Sequence, residues 1–404
     1  MKLLFAIVII AGTAIIGTRV TFRNRQLPMG FRNILLTGIE YLFLGVVLGK
    51  MGLNVIDSES LDLLQPFLLF GLSWIGFLFG LQFEFRLIKN LPRFYFSITA
   101  VKSVLTFLTV AIPLYYLLDH FISLPKSILL LASITLGSIA SCTAQSALAI
   151  VSQNTKIKNR GMLELLRYIS SVDGLFSLMF FTFALSIIPS EDAEAFSFLA
   201  SAKLLLASVS MGIVPAIILI SLSKTRFSQQ EFLVFIIGIV MLCGGLAHQI
   251  HHSPLLSGLI CGMVTANFCR YRVRALSTVI HSEKSIYIIL LIFVGAGWQI
   301  SIDYSLVLAT VYFILRIFGK LFSTFAATQI FPAAYHVPKL IGMGLLSEGG
   351  LAIAIVLNFR LLYPAIADSL STIIIISVIL NELISPWLIL KLLDQPEPAE
   401  LPIS

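Results

Sequence analysis

The chain has 404 residues, 58% of them hydrophobic and only 12% charged, with a mean hydropathy of +0.99. Those proportions exclude a water-soluble globular domain and place the chain in lipid as a polytopic membrane protein. Its net charge of +7 lies in loops where anionic lipid accounts for it, so a nucleic-acid partner is not required.

About thirteen apolar stretches are long enough, at roughly 1.5 Å per residue, to cross some 30 Å of hydrocarbon. They fall near 3–18, 34–51, 62–82, 95–118, 127–151, 163–189, 198–223, 231–249, 254–269, 283–300, 304–327, 338–360 and 366–391. The first follows Lys2 and has no small-residue cleavage site after it, so it reads as a retained helix and not as a signal peptide. Loops after odd-numbered spans carry Arg19/Arg23/Arg25/Arg32, Arg86/Lys89/Arg93, Lys156/Lys158/Arg160, Lys224/Arg226 and Arg270/Arg272/Arg274. Loops after even-numbered spans carry Asp57/Glu59/Asp62, Glu191/Asp192/Glu194 and Asp303. Lys and Arg are retained on the cytoplasmic side, which predicts an N-terminus outside, a C-terminus inside, and a cell (inner) membrane location. Only a short Pro- and Glu-rich tail follows the last span, so regulation is expected to act on the membrane domain or through a separate chain.

Within the spans, charged residues are functional candidates because hydrocarbon makes them costly. Asp173 lies about ten residues into the sixth span and is the foremost of these; a structural ion pair with Arg167 or Lys102 is the alternative. Glu40 near the middle of the second span is either a hydrogen-bonded or dimer-interface acid or a separate proton site. Lys102 in the fourth either snorkels or faces a funnel leading to Asp173, and Lys320 in the eleventh is expected to snorkel. Asn381 and Glu382 in the thirteenth are expected to pack against another helix. His248, His251 and His252 cluster at an outer helix end, where a metal site, a sensor of external pH and solvated loop histidines are all open readings. The cysteines, Cys142, Cys243, Cys261 and Cys269, lie in or beside spans and suggest neither a disulfide framework nor a metal motif.

Two spans are interrupted by polar and glycine-rich runs: Gly137-Ser-Ile-Ala-Ser-Cys-Thr-Ala-Gln-Ser146 in the fifth and Gly342-Met-Gly-Leu-Leu-Ser-Glu-Gly-Gly350 in the twelfth. Broken helices survive at membrane depth only where protein or a cavity satisfies their backbone groups. Spans one to six and eight to thirteen form two inverted halves around span seven, so spans five and twelve correspond; such a pair points to a transport site. Kinked packing helices are the plainer reading, which Glu348 fits poorly.

These residues resemble the monovalent cation:proton antiporters of the sodium/proton exchanger fold, and most closely the membrane domain of the glutathione-regulated potassium-efflux type. Ser141-Cys142-Thr143-Ala144 is similar to that branch's Ser-Ser-Thr-Ala signature, and Leu346-Ser347-Glu348-Gly349-Gly350 to its Leu-Ser-Gln-Gly-Gly signature. Ser253-Pro254-Leu255-Leu256-Ser257-Gly258 and Phe293-Val294-Gly295 resemble further stretches in the same order. Arg316-Ile317-Phe318-Gly319 fits a basic residue followed by x-x-Gly, with Arg in place of the branch's Lys. The family's acidic or amide residue before the ion-binding Asp is Val172 here, so a second acidic ligand is absent. The resemblance implies an all-α fold with discontinuous helices 5 and 12 crossing. It also implies a homodimer with dimerisation helices in 1–94 and 224–300, core transport helices in 95–223 and 301–392, and a tail at 393–404.

The expected function is secondary exchange of Na⁺ or K⁺ for protons, with no cofactor and no metal beyond the transported cation. One carboxylate binds either a cation or a proton, so competition at Asp173 couples the fluxes one to one. Hard cations take oxygen ligands, for which Thr143, Ser141, Ser170 and carbonyls of the fifth-span break are candidates, with Gln145 accessory. Arg316 keeps its proton and is expected to neutralise carbonyl ends or Glu348, favouring electroneutral exchange. Glu348 is read as a helix-end partner bound by the amides that follow it, or as an ion ligand. A sensor or subunit of a larger complex, and a symporter or channel of related fold, are the alternatives. No Walker loop, His-Glu-x-x-His or nucleophile elbow is present, so an enzyme is not expected.

Overall fold

A computed structural model describes residues 38–86, 93–145, 147–148, 151, 157–187, 198–223, 228–280, 282–299, 304–331 and 340–394. The regular elements among these residues are all helices, with no strand among them. In chain order they form α1 (Glu40–Leu48), α2 (Ser58–Leu63), α3 (Gln65–Leu81), α4 (Arg93–Phe121), α5 (Lys126–Ser141), α6 (Arg160–Ile187) and α7 (Phe198–Leu222). Then follow α8 (Gln229–Gln249), α9 (Pro254–Phe268), α10 (Arg272–Ile280), α11 (Glu283–Gly297), α12 (Tyr304–Ile330), a 3₁₀ turn at Ile341–Leu345, α13 (Gly350–Leu362) and α14 (Pro364–Leu393). The first predicted span and the whole basic loop after it, with Arg19, Arg23, Arg25 and Arg32, lie outside the described residues.

Local chemistry sets many of the boundaries. Asp57 caps α2 by accepting from the Ser60 amide, Ser228 and Glu231 close a reciprocal capping box on α8, and Ser253 caps α9 with Pro254 behind it. Among the described residues, five long apolar helices, Phe94–Phe121, Arg160–Leu185, Gln230–Gln249, Tyr304–Ile330 and Pro364–Leu393, reach membrane-crossing length unaided. By contrast α5 and α13 are short because each is one limb of an interrupted span: α5 stops at Ser141, and α13 starts only at Gly350.

Two stretches differ from the sequence reading. Within its described residues the second predicted span is helical over α1 and ends there, because Gly49 to Asn54 fold into a turn in which Asn54 adopts a φ of 52°. The basic loop holding Arg272 and Arg274 is instead the helix α10. It buries Ala275, Thr278 and Val279, lays Arg274 over the Phe232 ring, and pairs Arg272 with Glu84 at 2.8 Å. A short basic helix with one apolar side suits the lipid–water boundary.

Helix packing relies on missing side chains at two seams. Between α3 and α9, a Cβ at Gly76 would sit 2.1 Å from the Leu255 carbonyl and one at Gly258 would sit 2.0 Å from that of Ser73. Between α1 and α11, Gly45 and Gly295 meet in the same way. Small residues let backbones approach where lipid offers no hydrophobic drive. Elsewhere α4 packs against α5, α6 and α12, and α14 packs against α12, α13 and the 3₁₀ turn. That arrangement brings both chain breaks into the interior.

Candidate ion site between two broken helices

The end of α5 leaves carbonyls with no helical partner, and three long cationic side chains turn inward to meet them. Cys142 is extended, and regular helix is absent over Cys142–Ala144 and again over Leu346–Gly349. The two breaks touch directly, the Ala144 amide donating to the Ser347 carbonyl at 3.0 Å.

Asp173, on α6, is fully buried against the first break. Its Oδ1 accepts from the Thr143 amide at 3.1 Å, and its Oδ2 accepts from the Thr143 hydroxyl at 2.6 Å and from the Lys102 ammonium. Lys102 also donates to the Ser141 carbonyl at 3.2 Å. From α12, the Lys320 ammonium donates to the Ser141 and Cys142 carbonyls at 2.7 and 2.8 Å and to the Thr143 hydroxyl at 2.8 Å. It lies 3.5 Å from Asp173 Oδ2. One carboxylate therefore faces two ammonium groups, all three enclosed by protein.

Arg316, four residues before Lys320 and so on the same face of α12, serves the second break. Its guanidinium donates to the carbonyls of Leu346 at 2.6 Å and of Cys142 and Ser347 at 3.2 Å, and lies 3.5 Å from Glu348. Glu348 accepts from the Tyr312 hydroxyl at 3.0 Å, the Ser377 hydroxyl at 2.7 Å and the Asn381 amide at 2.9 Å. The Ser347 hydroxyl donates to Glu382 at 2.9 Å. A buried charge of this kind persists only when paired and hydrogen-bonded, and Glu348 is both.

Several sequence expectations meet different geometry. Lys320 does not snorkel: it is buried at the break, because the α12 face carrying Tyr312, Arg316 and Lys320 points into the protein. Lys102 likewise turns inward. The Glu348 carboxylate is held by side chains of α12 and α14 and not by the amides of its own break. The Ser141 and Ser170 hydroxyls donate to the Ser138 and Arg167 carbonyls at 2.7 and 3.0 Å, so Ser141 reaches the site through its carbonyl and the Ser170 hydroxyl is turned back on α6. Gln145 is exposed and donates to Ser171. Glu40 begins α1. Asn381 and Glu382 contact the second break, as described above. His248 and His251 have ring centroids 6.5 Å apart, and among the described residues no three His, Cys, Asp or Glu side chains are grouped to hold a metal. Tyr312 and Ser377 went unremarked in the sequence, although Tyr312 lies one turn before Arg316 on the inward stripe.

The arrangement has the oxygen chemistry for a dehydrated monovalent cation: a carboxylate, a hydroxyl and freed carbonyls. Any cation reaching Asp173 must first displace an ammonium.

A family profile described as "Sodium/hydrogen exchanger, transmembrane" matches residues 5–390. Among solved structures, the fold is similar to the sodium proton antiporter MjNhaP1 from Methanocaldococcus jannaschii at pH 8, with a TM-score of 0.68 and 16% identity, covering 98% of this chain and 100% of that one. No curated protein sequence matches the chain.

Proposed function

Because the chain belongs to the transmembrane sodium/hydrogen exchanger family, we propose that it exchanges one monovalent cation, Na⁺ or K⁺, for one proton, with Asp173 as the shared group. The observation that carries this reading is the buried triad of Asp173, Lys102 and Thr143 at the first break. In the proton-loaded form Lys102 is an ammonium bonded to the carboxylate. A cation arriving at Asp173 takes oxygens from the carboxylate, the Thr143 hydroxyl and the Ser141 and Cys142 carbonyls. An ammonium stripped of its carboxylate partner in so enclosed a place is costly, so Lys102 gives up its proton as the cation binds. The pair together with the ion it holds, a proton on Lys102 or a cation at Asp173, is neutral in both forms, and exchange moves no net charge across the membrane.

Lys320 and Arg316 hold the break open in this scheme, by occupying carbonyls that would otherwise close on the site. The likeness of Ser141–Ala144 and Leu346–Gly350 to potassium-efflux signatures keeps K⁺ beside Na⁺ as substrate. We further assign α4–α7 and α12–α14 to the group of helices that moves and α1–α3 and α8–α11 to a dimer scaffold. The C-terminus lies in the cytoplasm.

The test is collapse of a preset pH gradient in proteoliposomes on addition of Na⁺ or K⁺, with wild type beside Asp173→Asn, repeated with the membrane potential clamped. Collapse by wild type alone, unaffected by the clamp, is expected. No response to any cation makes the chain a sensor or subunit; equal response in both proteins removes Asp173 from the mechanism; a rate that follows the clamp overturns electroneutrality.

A further inference from the structure

We propose that Glu382, Tyr287 and Glu40 form a second proton-binding site, separate from Asp173, at the seam where α1 and α11 meet α13 and α14. Three elements converge there. The Tyr287 ring of α11 packs against the first residue of α13, so close that a Cβ at Gly350 would sit 3.0 Å from its Cε2. Gly350 therefore leaves room for a phenol to reach the base of the second break. From α14, Glu382 reaches the same break and accepts from Ser347 at 2.9 Å. From the opposite side, α1 packs along α11, with Gly38 against Ile288 and Leu291, which sets Glu40 at the Tyr287 level.

The hydroxyl of Tyr287 is enclosed and has no hydrogen-bond partner among the described residues, yet it stands within electrostatic reach of both Glu382 and Glu40. A buried hydroxyl left without a partner is an uncommon expense for a fold. One added proton resolves it: a protonated carboxyl donates to the phenol oxygen, and the phenol hydrogen goes to the other, ionised carboxylate. Two acids coupled in this way hold and release the proton as a unit.

Among the described residues, Tyr41 lies beside Glu40 on α1, and Glu348 with Arg316 lies behind Ser347. Glu348 and Arg316 are engaged with one another and with Tyr312, Ser377, Asn381 and backbone carbonyls, which sets them apart from the open hydroxyl. Because Glu40 and Tyr287 sit on one side of the seam and Glu382 on the other, the proton is retained while the seam is closed and released when the two sides part. Occupancy of this site thereby ties seam closure to proton concentration without using the Asp173 carboxylate.

The experiment is infrared difference spectroscopy of the lipid-reconstituted protein, titrated across the pH range of its activity, on wild type, Glu382→Gln, Tyr287→Phe and Asp173→Asn. We expect a protonated-carboxyl band that disappears in Glu382→Gln, shifts in Tyr287→Phe and persists in Asp173→Asn. Tyr287→Phe and Glu40→Gln should also move the pH of half-maximal exchange by about one unit or more. Identical spectra in wild type and Glu382→Gln overturn the site, and a band lost without any displacement of the exchange profile overturns its link to transport. Only the second readout rests on exchange at Asp173; the spectrum is read without transport, so failure of one is distinguishable from failure of the other. Glutamine and phenylalanine preserve shape, and gel filtration of each variant confirms that folded protein is being compared.

Discussion

Replacing Lys102 with methionine removes the ammonium while keeping an unbranched chain of similar length. Asp173 then keeps the Thr143 amide at 3.1 Å and hydroxyl at 2.6 Å, and the Lys320 ammonium remains 3.5 Å away. At an effective dielectric constant of roughly 20, a charge at that distance still supplies about 4–5 kcal/mol of attraction. The variant should therefore fold, with a stability loss at or below the low end of the ~3–5 kcal/mol seen when a buried pair is broken outright. Its cation affinity should rise. A hydrogen bond to a charged group contributes about 1.5–3 kcal/mol net, and removing that competitor from Asp173 converts to about ten- to a hundredfold tighter binding. Calorimetric titration of purified Lys102→Met and wild type with Na⁺ and K⁺ reads this directly. Proton-coupled exchange by the same variant in proteoliposomes should be lost, because the site no longer alternates between proton and cation. Unchanged or weaker cation binding in folded Lys102→Met would refute the competition on which the mechanism stands.

Arg316→Lys keeps the charge and loses the planar fork that reaches three carbonyls, so thermal unfolding should register about 2–5 kcal/mol of destabilisation; a melting temperature within a degree of wild type contradicts the capping role. Gly258→Ala places a methyl 2.0 Å from the Ser73 carbonyl and should cost at least about 1–3 kcal/mol. Gly238→Ala, whose added methyl meets nothing within 4 Å, should be neutral or slightly stabilising, and similar unfolding of the two proteins would refute the close α3–α9 contact. Burial holds the His252 imidazole below its ordinary value, so the folded state resists its protonation. Stability is accordingly full above the unfolded value of about 6.5 and is lost as pH falls from there through the folded value. In His252→Gln that acid loss should shrink, as measured by denaturation at a series of pH values between 5 and 7 in about half-unit steps.

Much of the fold and part of the site can be read directly from the sequence. Apolar length locates most of the helices, and the polar, glycine-rich runs around Thr143 and Glu348 mark the two breaks because hydrocarbon tolerates few other uses for them. The isolation of Asp173 in an apolar stretch singles it out for the same reason. Depth alone misleads for Lys102 and Lys320: counting residues from a span end gives the distance to water but not which face of the helix meets protein. The spacing Tyr312, Arg316, Lys320 holds that missing information, since every fourth residue of a helix shares a face. The serines mislead in the opposite sense. A hydroxyl three or four residues after a helical carbonyl has a ready partner there, and Ser141 and Ser170 both use it, a choice that no pattern of residue types reveals. The helix α10 was hidden because its basic residues read equally well as loop.

The contact between the breaks runs from the Ala144 amide to the Ser347 carbonyl, atoms that nearly every amino acid brings to those positions. Substitution at 144 by anything except proline leaves the donor in place, and no substitution at 347 removes the acceptor. Variation in the side chains lining the site can thus retune which ion is accepted while the crossing itself is inherited intact. A lineage built on this scaffold is free to explore selectivity without first having to reinvent the geometry.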